Sequence, residues 1–305
     1  MMNRTTALTA FWPRIGEYYR LCKPKVVYLI LFTAAAGMFL STPQLVSIDV
    51  LFFGLLGIGL GAASGAAVNH WVDQRIDEVM ARTRNRPLPQ GSISSRSALA
   101  FAISLGVLSM VVLVAFVNVM TAVLTFLALI GYAVVYTMFL KHSTPHNIVL
   151  GGAAGAAPPV LGWTAVTNEL SVDALILFLI IFIWTPPHFW ALAIKRRDEY
   201  RKAGVPMLPV THGVQFTKLH ILMYTLMLLS ITLLPFVIQM SSYLYLAGAV
   251  GLGLGFVYYA TRLYLSDNDE YAMKTFGYSI FYLSALFAVL ITDHYLREFI
   301  RAFVL

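Results

Sequence analysis

Long apolar runs decide what this chain can become. About nine stretches, at roughly 26–41, 50–72, 97–117, 119–139, 147–165, 173–194, 218–238, 243–263 and 276–296, carry almost no charge, which suits helices rising about 1.5 Å per residue through a hydrocarbon layer about 30 Å thick. The 305 residues are 59% hydrophobic and 11% charged, too apolar to be coated with polar surface in one water-soluble globule. In lipid every backbone polar group must be satisfied within the spanning structure, which leaves helices or closed barrels. Barrel strands need alternating segments of about ten residues. These runs are longer and continuously apolar, so the expected fold is an all-α polytopic membrane protein.

The formal charge of +7 suggests nucleic acid or anionic lipid until the basic residues are placed. They are strongly asymmetric. Arg4, Arg14, Arg20, Lys23 and Lys25 precede the first span; Arg75, Arg82, Arg84, Arg86 and Arg96 follow the second; Lys195, Arg196, Arg197, Arg201 and Lys202 follow the sixth. Connections near Pro43, Asn118, Thr167 and Ser241 hold no Lys or Arg. By the positive-inside rule the N-terminus and both basic loops are cytoplasmic, and an odd span count puts the C-terminus outside. Charge of this kind calls for a lipid bilayer and no nucleic acid. The one cysteine, Cys22, permits no intramolecular disulfide. Residues 1–25 mix basic and aromatic side chains without a small-residue cleavage site and read as an interfacial segment.

Most connections are short, but those at 73–96 and 195–217 are long and charged, and they resemble each other. Each starts with acids and bases at the end of a span and then carries a Pro-containing turn, Arg86-Pro87-Leu88-Pro89 in one and Pro206-Met207-Leu208-Pro209 in the other. The expected organisation is a single membrane domain over 1–305 with two pseudo-repeated halves, spans 1–4 and 5–8, and a ninth helix appended. Spans 2 and 5 are rich in Gly, Ala and Ser, from Gly54 to Ala67 and from Gly151 to Ala157. Close helix packing explains such residues. Room for a bulky ligand explains them equally.

Asn69, Asp73 and Asp77 are spaced by four, so at about 100° per residue they share one helical face at the end of span 2. A stripe of hard oxygens suits Mg²⁺, which is commonly shared between one or two carboxylates and a phosphate substrate. Acids entering a membrane helix are costly and usually functional. Asn69, Asp73 and Asp77 are the expected metal ligands. Nearby guanidinium and ammonium groups either mark topology or clamp a diphosphate, since guanidinium forks bind phosphate oxygens in pairs and stabilise charge on a departing group. Arg82 and Arg86 are the first candidates; Lys195 and Arg197 follow.

Cys22-Lys23-Pro24-Lys25, Asn69 to Asp77, Arg82 to Pro89, Trp184-Thr185-Pro186-Pro187-His188-Phe189-Trp190 and Tyr200 to Pro209 together resemble the intramembrane aromatic (UbiA-type) prenyltransferases over nearly the whole chain, and among them the branch whose acceptor is haem. The resemblance implies a nine-helix bundle with a central cavity, Mg²⁺-dependent ionisation of farnesyl diphosphate, and attack by a vinyl group of haem B on the allylic cation. Water then completes a hydroxyethylfarnesyl substituent. It also implies a downstream partner such as haem A synthase or a terminal oxidase, and a bacterial inner membrane. The second D-x-x-x-D of the wider superfamily is incomplete here: Asp198 is followed four residues later by Lys202. Glu199 and its neighbour Asp198 carry what remains of that motif. A haem acceptor implies an axial ligand, most often histidine. His188, beside the expected helix break at Pro186-Pro187, is read either as that ligand or as a structural hydrogen-bonding group.

Aromatic side chains to shelter a cation are sought among Tyr132, Tyr136, Trp163, Trp184 and Trp190. A transporter is the rival from another class. Transporter sites sit near the bilayer midplane, whereas these acids lie at the helix ends. A quinone-pathway or chlorophyll-pathway prenyltransferase is the other rival.

Overall fold

The computed structural model describes residues 15–304, and among these every regular element is helical. Helices stand at all nine expected positions among the described residues, α1 (Pro24–Leu40), α2 (Ile48–Val72), α3 (Ser95–Phe116), α4 (Val119–Ser143), α5 (Asn147–Thr167), α6 (Val172–Lys195), α7 (Val214–Val237), α8 (Tyr243–Leu265) and α9 (Glu270–Val304); eight are long and apolar enough to cross a membrane alone, and α1 is so only together with Ile15–Leu21. Their outward faces expose large apolar side chains such as Phe52, Val107, Val111 and Leu127, as lipid-facing helices require. Of the N-terminal interfacial segment, residues 1–14 lie outside the described residues.

Consecutive helices pack on each other, and α9 returns to touch α1, which closes the bundle. α1 and the second half of α5 meet backbone to backbone. A Cβ on Gly162 would lie 1.9 Å from the Ala34 carbonyl oxygen, and one on Gly37 would lie 2.0 Å from that of Pro159. Only glycine permits this approach.

The helix breaks matter most for function. Ile15–Leu21 meets α1 at 56°, with Lys23 between them in the left-handed region at φ 49°, ψ 61°. Pro24, which suits a first helical turn, disfavours helix in the residue before it. α2 passes through Asp73 into a short helix, Gln74–Val79, and α6 passes through Arg196 into Arg197–Lys202. The two long loops therefore begin alike. In α4, residues Gly131–Leu140 are wound as a π-helix, a form found mostly as short bulges at functional sites. Contrary to expectation, Pro186 and Pro187 do not interrupt α6, which is tied to α9 beside them by Trp184 Nε1 donating to Ser279 O at 2.8 Å. The break falls instead at Ala157 in α5, where Pro158 opens a new helical stretch.

Candidate active site

The Asn69–Asp73–Asp77 stripe survives the end of α2. Asp73 N donates to Asn69 O at 3.0 Å and Asp77 N to Asp73 O at 2.8 Å, so the helical register carries across the junction and the three side chains stay on one face. All three are buried. Each meets a cation. Lys23 Nζ donates to Asn69 Oδ1; Lys141 Nζ lies 2.5 Å from Asp73 Oδ2; Arg86 NH1 reaches both oxygens of Asp77 at 2.8 and 2.7 Å. Asn69 Nδ2 donates to Asp73 Oδ2 at 2.9 Å and to Thr137 Oγ1 at 3.3 Å, which ties α2 to the π segment of α4. Burial first, and repulsion from Arg86 second, push the Lys23 amine down to about 7.

Below this cluster lies a cavity of about 330 Å³ that is almost wholly apolar. Lys23 stands at its mouth. Gly61, Ala62, Gly65 and Ala66 of α2 face Gly151, Gly152 and Gly155 of α5 across it, so the small residues serve both readings: they pack helices and they leave room. Gly155 illustrates the second, because a Cβ there would meet nothing within 4 Å. Tyr132 and Tyr136, stacked at 5.7 Å, and Trp184 supply the aromatic wall. Trp163 and Trp190 do not; Trp190 is packed edge-on against Tyr224 elsewhere in the core.

The two loops meet. Met80 packs in one apolar cluster with Tyr200, and Arg82, largely exposed, is within electrostatic range of Tyr200, Arg86 and Arg196. Glu199 keeps one buried oxygen, Oε2, without a hydrogen-bond partner, and Arg197 Nε makes no hydrogen bond but lies 3.7 Å from Asp198 Oδ1 in an ion pair. Asp198 is 70% exposed and pairs with Arg201 at 3.0 Å, and Lys195 is also exposed; both lie on the outer side of the loop. His188 is stacked between Trp184 and Phe276 and hydrogen-bonded through Nδ1 to Ser279 Oγ at 2.7 Å. Lys141 and Thr137 escaped the sequence reading. Lys141 is the only strongly basic residue between Arg96 and Lys195, at the end of a span in the correct topological position, and that isolation was the available signal.

Among the described residues no three His, Cys, Asp or Glu side chains converge as a ready-made metal cage. The stripe instead offers oxygens for an ion shared with a substrate. Asp73 Oδ1 is buried and has no hydrogen-bond partner, an open hard donor of the kind Mg²⁺ takes. The residues present therefore fit such an ion.

A model of the UbiA prenyltransferase family matches residues 30–286. The chain belongs to that family. It is 65% identical over 281 residues to a protein named protoheme IX farnesyltransferase from Thioalkalivibrio sulfidiphilus, covering 92% of this chain and 93% of that one, and 61% identical to the protein of that name from Nitrosococcus oceani, covering 93% and 95%. Among solved structures, a digeranylgeranylglyceryl phosphate synthase superposes with a TM-score of 0.79 at 19% identity over 93% of this chain and 99% of that one. A UbiA homologue from Archaeoglobus fulgidus bound to GPP and Mg²⁺ gives 0.68 at 19% identity over 90% and 99%. These low identities establish a shared fold. The chain is a multi-pass membrane prenyltransferase.

Proposed function

We propose that the chain transfers the farnesyl group of farnesyl diphosphate to a vinyl group of haem B, giving hydroxyethylfarnesyl haem. The observation that carries this reading is a buried oxygen stripe at the mouth of an apolar cavity, with three cations already gathered around it. The high-identity relatives carry names for this same transfer, and they favour it over the transporter and the other prenyltransferases.

Asn69, Asp73 and Asp77 would hold Mg²⁺, which when bound neutralises charge on the diphosphate. Arg86, Lys141 and Lys23 would exchange their present partners for diphosphate oxygens, and Arg82 would reach them from the rim. As the allylic C–O bond breaks, the electron pair leaves with the diphosphate, and these cations stabilise the charge that builds there. Tyr132, Tyr136 and Trp184 face the cationic fragment with their ring electrons and exclude water from it. A vinyl carbon of haem then bonds to the allylic carbon. Water adds to the resulting cation beside the macrocycle and loses a proton. Glu199, with Lys195, Arg197 and Asp198 on the second loop, would add binding groups for the substrates from that side.

The basic loops would lie on the cytoplasmic side of a plasma membrane, where soluble farnesyl diphosphate arrives, with the C-terminus outside. The product would pass to a haem-modifying synthase or a terminal oxidase. Purified protein incubated with haem B, farnesyl diphosphate and Mg²⁺ should return haem heavier by one farnesyl group and one hydroxyl, detected by mass spectrometry. Unchanged haem beside intact farnesyl diphosphate would overturn the assignment.

A further inference from the structure

His188 carries more information than its hydrogen bond. Ser279 Oγ lies 2.6 Å from the Phe276 carbonyl oxygen and 2.7 Å from His188 Nδ1. Two oxygens that close need a proton between them, and a carbonyl has none to give, so the Ser279 hydroxyl donates to Phe276. Its one proton spent, Ser279 can only accept from the imidazole. The neutral ring therefore carries its proton on Nδ1 and a lone pair on Nε2.

That lone pair has no hydrogen-bond partner, and packing does not seal it off. Trp184 at 4.2 Å and Phe276 at 4.7 Å clamp the ring between their faces. His188 is not itself among the residues that line the cavity, but by helical spacing it falls within the arc of Ile181, Trp184, Thr185 and Phe189 on α6, which do, and Leu283, one turn beyond Ser279 on α9, lines it too. A histidine kept only for structure in such apolar surroundings would be expected to satisfy both nitrogens. A metal-ligating histidine is dressed differently: one nitrogen donates to a fixed neighbour, which sets tautomer and orientation, and the other is left for the metal.

We propose that His188 Nε2 is the axial ligand for the iron of the haem substrate, and that Ser279 is the positioning residue that holds the ring in its ligating tautomer; this rests on haem being the acceptor. A fixed iron leaves the macrocycle few orientations, which raises the chance that a peripheral vinyl group meets the allylic carbon.

The test compares two probes, haem B and metal-free protoporphyrin IX, titrated into purified full-length wild type, His188→Ala and Ser279→Ala, with absorption and fluorescence as readouts. Wild type should bind haem B more tightly than the metal-free ring and give the Soret band of nitrogen-ligated iron. His188→Ala should lose at least tenfold in affinity for haem B and none for the metal-free ring, and added imidazole should restore the band. Ser279→Ala should lose about tenfold, the usual effect of removing an outer partner of a metal-ligating histidine. A His188→Ala protein with the wild-type band and undiminished preference for haem B would overturn the proposal, as would a Ser279→Ala protein identical to wild type should His188→Ala fail to fold. Wild-type protein that binds haem as described but never adds a farnesyl mass would refute the acceptor reading instead, since the spectra judge the ligand independently.

Discussion

At the scale of single residues, the centre is a set of buried charges that stability alone does not account for. Taking ions out of water costs several kcal/mol each, and a buried pair often stabilises no more than apolar side chains of the same volume would. Asp73 with Lys141 and Asp77 with Arg86 are such pairs, and their persistence fits substrate binding better than folding. Arg86→Lys tests this, because lysine keeps the charge but loses the planar guanidinium, whose NH1 alone contacts both Asp77 oxygens and whose other N–H groups remain for a phosphate. The variant should fold, with KM for farnesyl diphosphate raised about tenfold, the value of one charge-assisted hydrogen bond. The spacing of four made Asn69, Asp73 and Asp77 legible in the sequence. Lys141 was not, since it lies 68 residues from Asp73 and only the fold brings them together. Ser279 was hidden for the same reason.

At the scale of elements, the spans could be read directly because lipid imposes length and hydropathy on them, while their irregularities could not. A proline pair looks the same in α5 and α6, but α6 runs on through Pro186-Pro187 and α5 breaks before Pro158-Pro159. Whether freed backbone groups bend a helix depends on what surrounds them. The π winding of Gly131–Leu140 has no periodic signature at all, yet it places Tyr132, Tyr136 and Thr137 at the site. Two glycines separate packing from space. Gly162→Ala would drive a methyl group into the Ala34 carbonyl of α1 and should lower the melting temperature, by the about 1–3 kcal/mol typical of overpacking. Gly155→Leu points into the cavity, so the protein should melt normally while its turnover of the prenyl substrate falls, as steady-state kinetics would record.

At the scale of the whole molecule, the site occupies one end of the bundle and a separate anchor secures the other. Asp293, buried on α9, accepts from Ser242 N at 2.8 Å, from Tyr245 N at 3.1 Å and from the Ser242 hydroxyl, and so caps α8. Asp293→Ala should cost about 1–2 kcal/mol, as lost helix caps do, seen as a lower melting temperature with kcat retained in the folded fraction. The account as a whole rests on the stripe holding diphosphate through a metal. The most direct measurement is the affinity of wild type and Asp73→Asn for a non-ionising thio analogue of farnesyl diphosphate, by calorimetry with and without Mg²⁺. Wild type should bind tightly only with Mg²⁺, and Asp73→Asn should lose most of that Mg²⁺-dependent gain. Equal affinity in the two proteins, with the same response to Mg²⁺, would contradict it.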